Sequence, residues 1–143
     1  MNKKLLAIWI LSFIASLNAS YLTYQAFQIK AKLASWSFCD ISNTFSCTSV
    51  FNNDFAWFWN IPFSEIALIV YPILVILAIS WLKWFKNASK YILALSIWWL
   101  IFNGYIIFNE FQIGSFCLLC LICTWIIIIN WILAFINTKQ WKN

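Results

Sequence analysis

The most regular feature of this chain is where charge is missing. Residues 5–29, 66–82, 91–109 and 111–138 contain no Asp, Glu, Lys or Arg, and Leu, Ile, Phe, Trp and Ala dominate each run. A helix needs about 20 mostly apolar residues to cross a bilayer. The pattern therefore predicts four membrane-spanning helices, at about residues 5–29, 64–82, 91–109 and 115–137. Strands of an outer-membrane barrel would show a polar residue at every second position, and these runs do not. The predicted fold is an all-α integral membrane protein, a four-helix bundle forming a single domain over residues 1–143. A long loop at residues 30–63 separates the first two helices, and the other connections, 83–90 and 110–115, are short.

Composition agrees and closes other routes. Of the 143 residues, 64% are hydrophobic and 9% charged, against globular norms of roughly 45–50% and about 25%. A soluble domain of this size could not bury so much apolar surface. All nine basic residues are Lys, with no Arg and no His. Bidentate Arg recognition of phosphate, imidazole metal sites and Ser-His-Asp or Cys-His catalysis are thereby excluded. The net charge of +5 comes from lysines scattered among apolar runs, which form no basic face for nucleic acid.

The lysines also predict orientation, because cytoplasmic loops carry the excess of basic residues. Lys3, Lys4, Lys83, Lys86, Lys90, Lys139 and Lys142 fall on one side of a four-helix path, and only Lys30 and Lys32 on the other. Both termini are expected in the cytoplasm, with Asp40, Asp54, Glu65 and Glu110 outside or at the outer boundary. Met1-Asn2-Lys3-Lys4 before an apolar run also has the look of a signal peptide. Leu17-Asn18-Ala19-Ser20 is a poor cleavage site, however, and the run continues to Phe27, so a retained helix is expected.

The 30–63 loop is too aromatic to be disordered, with Trp36, Phe38, Phe45, Phe51, Phe55, Trp57, Phe58, Trp59 and Phe63. It reads as an interfacial aromatic belt and, compatibly, as a lid over the outer mouth of the bundle. It holds Cys39 and Cys47, while Cys117 and Cys120 stand at the outer start of the fourth helix. Topology alone thus brings two cysteine pairs to one outer face, where disulfides are permitted. Cys117-Leu118-Leu119-Cys120 is a C-x-x-C motif. With Ser115 as the helix cap, Cys117 falls in the first turn, where unpaired amides and the helix dipole favour a thiolate. Three other readings stand beside a redox dithiol: two structural disulfides, a four-Cys zinc site, and simple packing. The Cys39-x7-Cys47 spacing is wider than zinc ligands usually show. Cys123, one turn deeper, reads as a small buried hydrophobe.

On these residues the chain resembles the vitamin K epoxide reductase (VKOR) family. The carrying features are Cys39-Asp40, then Ser46-Cys47-Thr48-Ser49-Val50-Phe51, then Ile61-Pro62-Phe63-Ser64, and finally Cys117-Leu118-Leu119-Cys120. The order matters, a spaced loop pair first and C-x-x-C opening the last helix. The resemblance implies a bundle that holds a quinone, of ubiquinone or menaquinone type, at its outer level. It implies that Cys39 exchanges with a thioredoxin-like (DsbA-like) partner, Cys47 relays to Cys117, and Cys120 faces the quinone. Many bacterial members carry a thioredoxin-like domain after the bundle. With the chain ending at Asn143, the partner is expected to be a separate protein, and the membrane to be a bacterial inner membrane.

Quinone contacts carried over from the family fall on Cys120, Phe63, Glu65 and Thr124. The chain departs from the vertebrate pattern at two places. Thr124 stands where vertebrate members have Tyr, and Phe63, Ser64 and Glu65 stand where they have a quinone-contacting Asn. The departures favour disulfide generation over reduction of vitamin K epoxide. A non-catalytic scaffold with static disulfides is the alternative of another class. Glu65 has a plain reading too, as an exposed acid favoured by the start of its helix. Asp40 either tunes Cys39 or holds the loop. Trp98, Trp99, Phe102, Tyr105 and Phe108 are candidates for the wall of an isoprenoid site.

Overall fold

The computed structural model describes residues 3–32, 40–83 and 87–140. Four long helices are present: α1 (Lys3–Lys30), α3 (Phe63–Lys83), α4 (Ala88–Ile113) and α5 (Leu118–Gln140). Each is long and apolar enough to cross a membrane. Between α1 and α3 lie the short helix α2 (Cys47–Phe51), a 3-10 turn at Asp54–Ala56 and a two-residue hairpin, β1 (Trp57–Phe58) with β2 (Ile61–Pro62).

α1 packs on α3 and α5, and α4 packs on α5 and α3. Close approach by α1 follows from small side chains on its inner face. Ser12, Ala15, Ala19 and Ala26 are all fully buried, and lipid offers no apolar driving force to compensate for a loose fit. Ile10, Phe13, Leu17, Ile69, Ile76 and Ile101 are exposed, as large apolar side chains facing lipid should be. Ala19→Leu is expected to wedge α1 off its neighbours and cost about 1–3 kcal/mol. Unfolding of the purified protein in mixed detergent micelles measures it.

Polar groups in the core find partners across helices. Tyr71 of α3 donates to the carbonyl of Cys123 (2.9 Å) and accepts from Nε1 of Trp99 on α4 (3.2 Å). In the half of the bundle away from the lid, Nδ2 of Asn130 on α5 donates to Oγ of Ser12 on α1 (3.0 Å).

Helix ends differ from the sequence reading by up to four residues, with α4 beginning at Ala88 rather than residue 91 and α5 running to Gln140 rather than residue 137. α4 was expected to stop at Asn109, before the charge of Glu110, yet it continues to Ile113. Glu110 is fully buried rather than solvated, so its charge does not mark an end. The helix stops instead at Gly114, whose φ of 71° lies in the left-handed region. There the Gly114 and Ser115 amides reach back to the carbonyls of Phe111 and Glu110 (both 3.3 Å). α5 was expected from residue 115 and begins at Leu118.

The segment after Asp40 is a lid, as its aromatic content suggested. Cys47, Val50, Phe51 and Ala56 are buried against Leu22, Ala26, Phe63, Ile106 and Cys117. Phe51 stacks on Phe63 (5.3 Å, 12°), and Phe58 lies against Phe102 and Tyr105. The hairpin turns at Trp59 and Asn60, both at positive φ, the geometry that suits a two-residue connection. Lys30 ties it to α1, donating to Oδ1 of Asn60 (3.0 Å) with its ammonium 4.4 Å above the Trp57 ring.

Candidate functional site

The lid is fastened to the start of α5 by backbone. Phe45 and Phe116 form a parallel bridge, in which the Phe116 amide donates to the Thr44 carbonyl (2.6 Å) and the Ser46 amide to the Phe116 carbonyl (3.0 Å). Oγ of Ser115 adds a bond to the Asn43 carbonyl (2.9 Å). Cys47 stands two residues beyond Phe45 and Cys117 one residue beyond Phe116.

Their sulfurs are 3.1 Å apart, within the roughly 3–3.5 Å of a near-attack pair. Cys47 is a disulfide-bonded half-cystine, whereas Cys117, Cys120 and Cys123 are free thiols. Cys47 and Cys117 are both fully buried. A thiol held against one sulfur of a disulfide is the geometry that thiol–disulfide exchange requires. Cys39, the expected partner-facing cysteine, lies outside the described residues.

Two side chains shape the Cys47 half. Ser46 caps α2, its Oγ accepting from the Ser49 amide (3.2 Å) and donating to Oδ1 of Asp40 (2.9 Å). The Asp40 carboxylate also accepts from the amide (3.0 Å) and hydroxyl of Thr48. Of the two roles open to Asp40, holding the loop is the one these bonds display.

On the other half, Ser115 does not cap α5, because its hydroxyl is committed to the Asn43 carbonyl. Cys117 occupies the cap position itself. Its carbonyl accepts the Leu121 amide (3.0 Å) and its Sγ accepts the Cys120 amide (3.4 Å). The thiol is thus two positions nearer the helix end than expected, and in direct contact with an unpaired amide there.

Behind the dithiol is a small cavity of about 10 Å³, lined by Ala19, Leu22, Phe63, Ser64, Ala67, Trp99, Asn103, Cys120 and Cys123. Of the expected quinone contacts, Phe63 and Cys120 line it. Thr124 does not, although its hydroxyl is 3.1 Å from Oδ1 of Asn103, which does. Glu65 stays half-exposed in the first turn of α3. Of the five aromatic wall candidates only Trp99 lines the cavity. Phe102 stacks on it (5.0 Å), while Trp98, Tyr105 and Phe108 are exposed.

Sequence reasoning missed Asn18, Asn103 and the environment of Glu110. Asn18 donates to Sγ of Cys123 (3.0 Å) and to the Leu119 carbonyl (2.8 Å), while Cys123 itself is buried in the apolar core as expected. Asn103 donates to the Trp99 carbonyl (2.8 Å) and presents its amide to the cavity. Their signal was available: amides within apolar spans are costly and mark interior faces.

Four membrane-length helices and a dithiol set against a disulfide, under a lid, define a membrane redox protein. The sequence matches the vitamin K epoxide reductase family over residues 6–135. The chain belongs to that family and is a membrane oxidoreductase. No curated relative matches it.

Proposed function

We propose that this protein is a quinone-linked thiol–disulfide oxidoreductase that reoxidises a secreted thioredoxin-like partner. Electrons enter at Cys39 and Cys47, cross from Cys47 to Cys117, and leave through Cys120 to a membrane quinone. The single observation that carries the reading is the 3.1 Å approach of the Cys117 sulfur to a Cys47 already in a disulfide. Static disulfides would leave Cys117 no reason to stand free there. The lysine distribution supports an extracytoplasmic site with cytoplasmic termini.

Cavity chemistry supports the quinone end. Phe63, Trp99 and Ala67 supply flat or small apolar walls, and Asn103 and Ser64 supply polar atoms suited to a carbonyl oxygen. At about 10 Å³ the space holds about one water, so a ring enters only as lining side chains of α3 and α4 part. A quinone supplies the oxidising potential, and roughly 200 mV over the dithiol is worth about 9 kcal/mol for two electrons.

The test uses purified protein, a reduced DsbA-like protein and a short-chain ubiquinone or menaquinone. Quinone is expected to disappear in step with partner thiols. A rate no greater than without the protein refutes the reading. Vitamin K epoxide with a dithiol in place of these substrates is expected to give little turnover, and efficient epoxide reduction would select the rival activity.

A further inference from the structure

Glu110 is the most anomalous residue outside the cysteine relay. It sits in the last turn of α4, fully buried, and neither carboxyl oxygen has a hydrogen-bond partner among the described residues. Buried polar atoms are nearly always satisfied, so an unpaired carboxyl group asks for a reason. Its surroundings supply one. The Ser115 amide is bonded to the Glu110 carbonyl, so the buried carboxyl group belongs to the turn that opens α5, with Cys117 and Cys120 as its electrostatic neighbours. The Gly114 turn fixes this placement, because α4 ends there and the chain doubles back into α5 with Cys117 as its cap.

Carboxylate and thiolate would compete for the same positive helix end. Two negative charges in one buried site disfavour one another, so losing a proton from one group favours its gain by the other. Apart from Cys117 and Cys120, the titratable neighbours recorded around this pair are Cys123 on the same helix and Tyr71 on α3. Cys47, being disulfide-bonded, does not titrate.

We propose that Glu110 is the proton carrier of the Cys117–Cys120 dithiol. This rests on the reading that the pair cycles between dithiol and disulfide. When Cys47 thiolate attacks Cys117, the Cys47–Cys117 bond forms, the Cys117–Cys120 bond breaks, and the electron pair leaves on the Cys120 sulfur. Glu110 gives that sulfur its proton and becomes a carboxylate. A second thiol of the loop pair then closes on Cys47 and its proton restores Glu110, while the released Cys117 thiolate takes up the proton that Cys47 gave up on forming its thiolate. Two loop thiols become a disulfide and the C-x-x-C disulfide becomes two thiols, with no further oxidant or reductant. In the reverse sense the carboxylate takes the proton from Cys120 and leaves a thiolate.

The test reads the reduced protein alone, without partner or quinone. Cys120 is labelled with a membrane-permeant maleimide across a range of pH, and the site of labelling is read by fragment mass spectrometry. Coupled titration predicts a wild-type rate that rises in two steps. Glu110→Gln is expected to show one step and to react severalfold faster near neutral pH, because the carboxylate that opposes the Cys120 thiolate is gone. Glu110→Asp keeps an acid and is expected to keep both steps. An unchanged rate and profile in Glu110→Gln overturns the proposal. A single-step profile in folded Glu110→Asp also overturns it, even if the Gln variant does not fold. The electron route can fail separately, since this labelling does not require exchange with Cys47.

Discussion

Replacing Cys117 with Ala is expected to remove partner-driven quinone reduction entirely, a fall of about a thousandfold or more. The reason is geometric. Cys117 is the thiol in contact with Cys47, at 3.1 Å, and the backbone bridge through Phe45 and Phe116 fixes that contact. Cys123 cannot substitute, because it lies a turn deeper with its sulfur engaged by Asn18. Cys120→Ala is expected to be equally inactive in turnover but to behave differently at rest. Its remaining Cys117 thiol attacks Cys47 with no neighbour in the motif to resolve the product. The Cys47–Cys117 bond therefore accumulates, and displaces whatever sulfur Cys47 held before. Non-reducing proteolysis and mass mapping detect it as a link between the lid and α5. A Cys120→Ala protein that shows no such link, or a Cys117→Ala protein that keeps its rate, would remove Cys117 from the route.

Much of this was legible in the chain. The four spans could be read from gaps in charge, because lipid forbids what those gaps lack. Placing the two cysteine pairs on one face needed only the span count and the lysines. Contact between Cys47 and Cys117 was implied by the family resemblance alone and could not be derived from the residues themselves. It depends on a two-bond backbone bridge, and amide and carbonyl groups leave no trace in side-chain identity. Ser115 illustrates the same limit. A Ser before a helix is a good cap on propensity alone, but the Asn43 carbonyl takes its hydroxyl and the cap passes to Cys117. Glu110 misled in the opposite direction, since a charge at the end of an apolar run reads as a boundary. Whether it is solvated or buried depends on how α4 and α5 meet beyond Gly114. Asn103 was visible as a polar residue within a span, but its pairing with Thr124 depends on the rotation of one helix against another.

Asp40→Ala is expected to slow sulfur exchange between the lid and α5 by about 10–100-fold without touching either thiol of the C-x-x-C pair. The Asp40 carboxylate accepts from Ser46 Oγ, the Thr48 amide and the Thr48 hydroxyl, bracketing Cys47 from both sides. Hydrogen bonds to a charged group are worth about 1.5–3 kcal/mol each, and water recovers part of that when they are lost. What remains is enough to let the first turn of α2 shift. A shift of about 1 Å at a reacting atom costs roughly a hundredfold in rate. The comparison with Asp40→Asn separates the two roles this residue could have. If Asp40 acts by its charge on the adjacent Cys39, Asn is as damaging as Ala. If it acts by holding the loop, Asn keeps an acceptor for the Thr48 amide and loses only a few-fold. Rapid-quench measurement of exchange, with alkylation of Cys117 as an internal control for intact α5, reads the difference. Because the bonds run to Ser46 and Thr48, Asn is expected to rescue, and equal loss in both variants would move Asp40 from the loop's architecture to the chemistry of its neighbour.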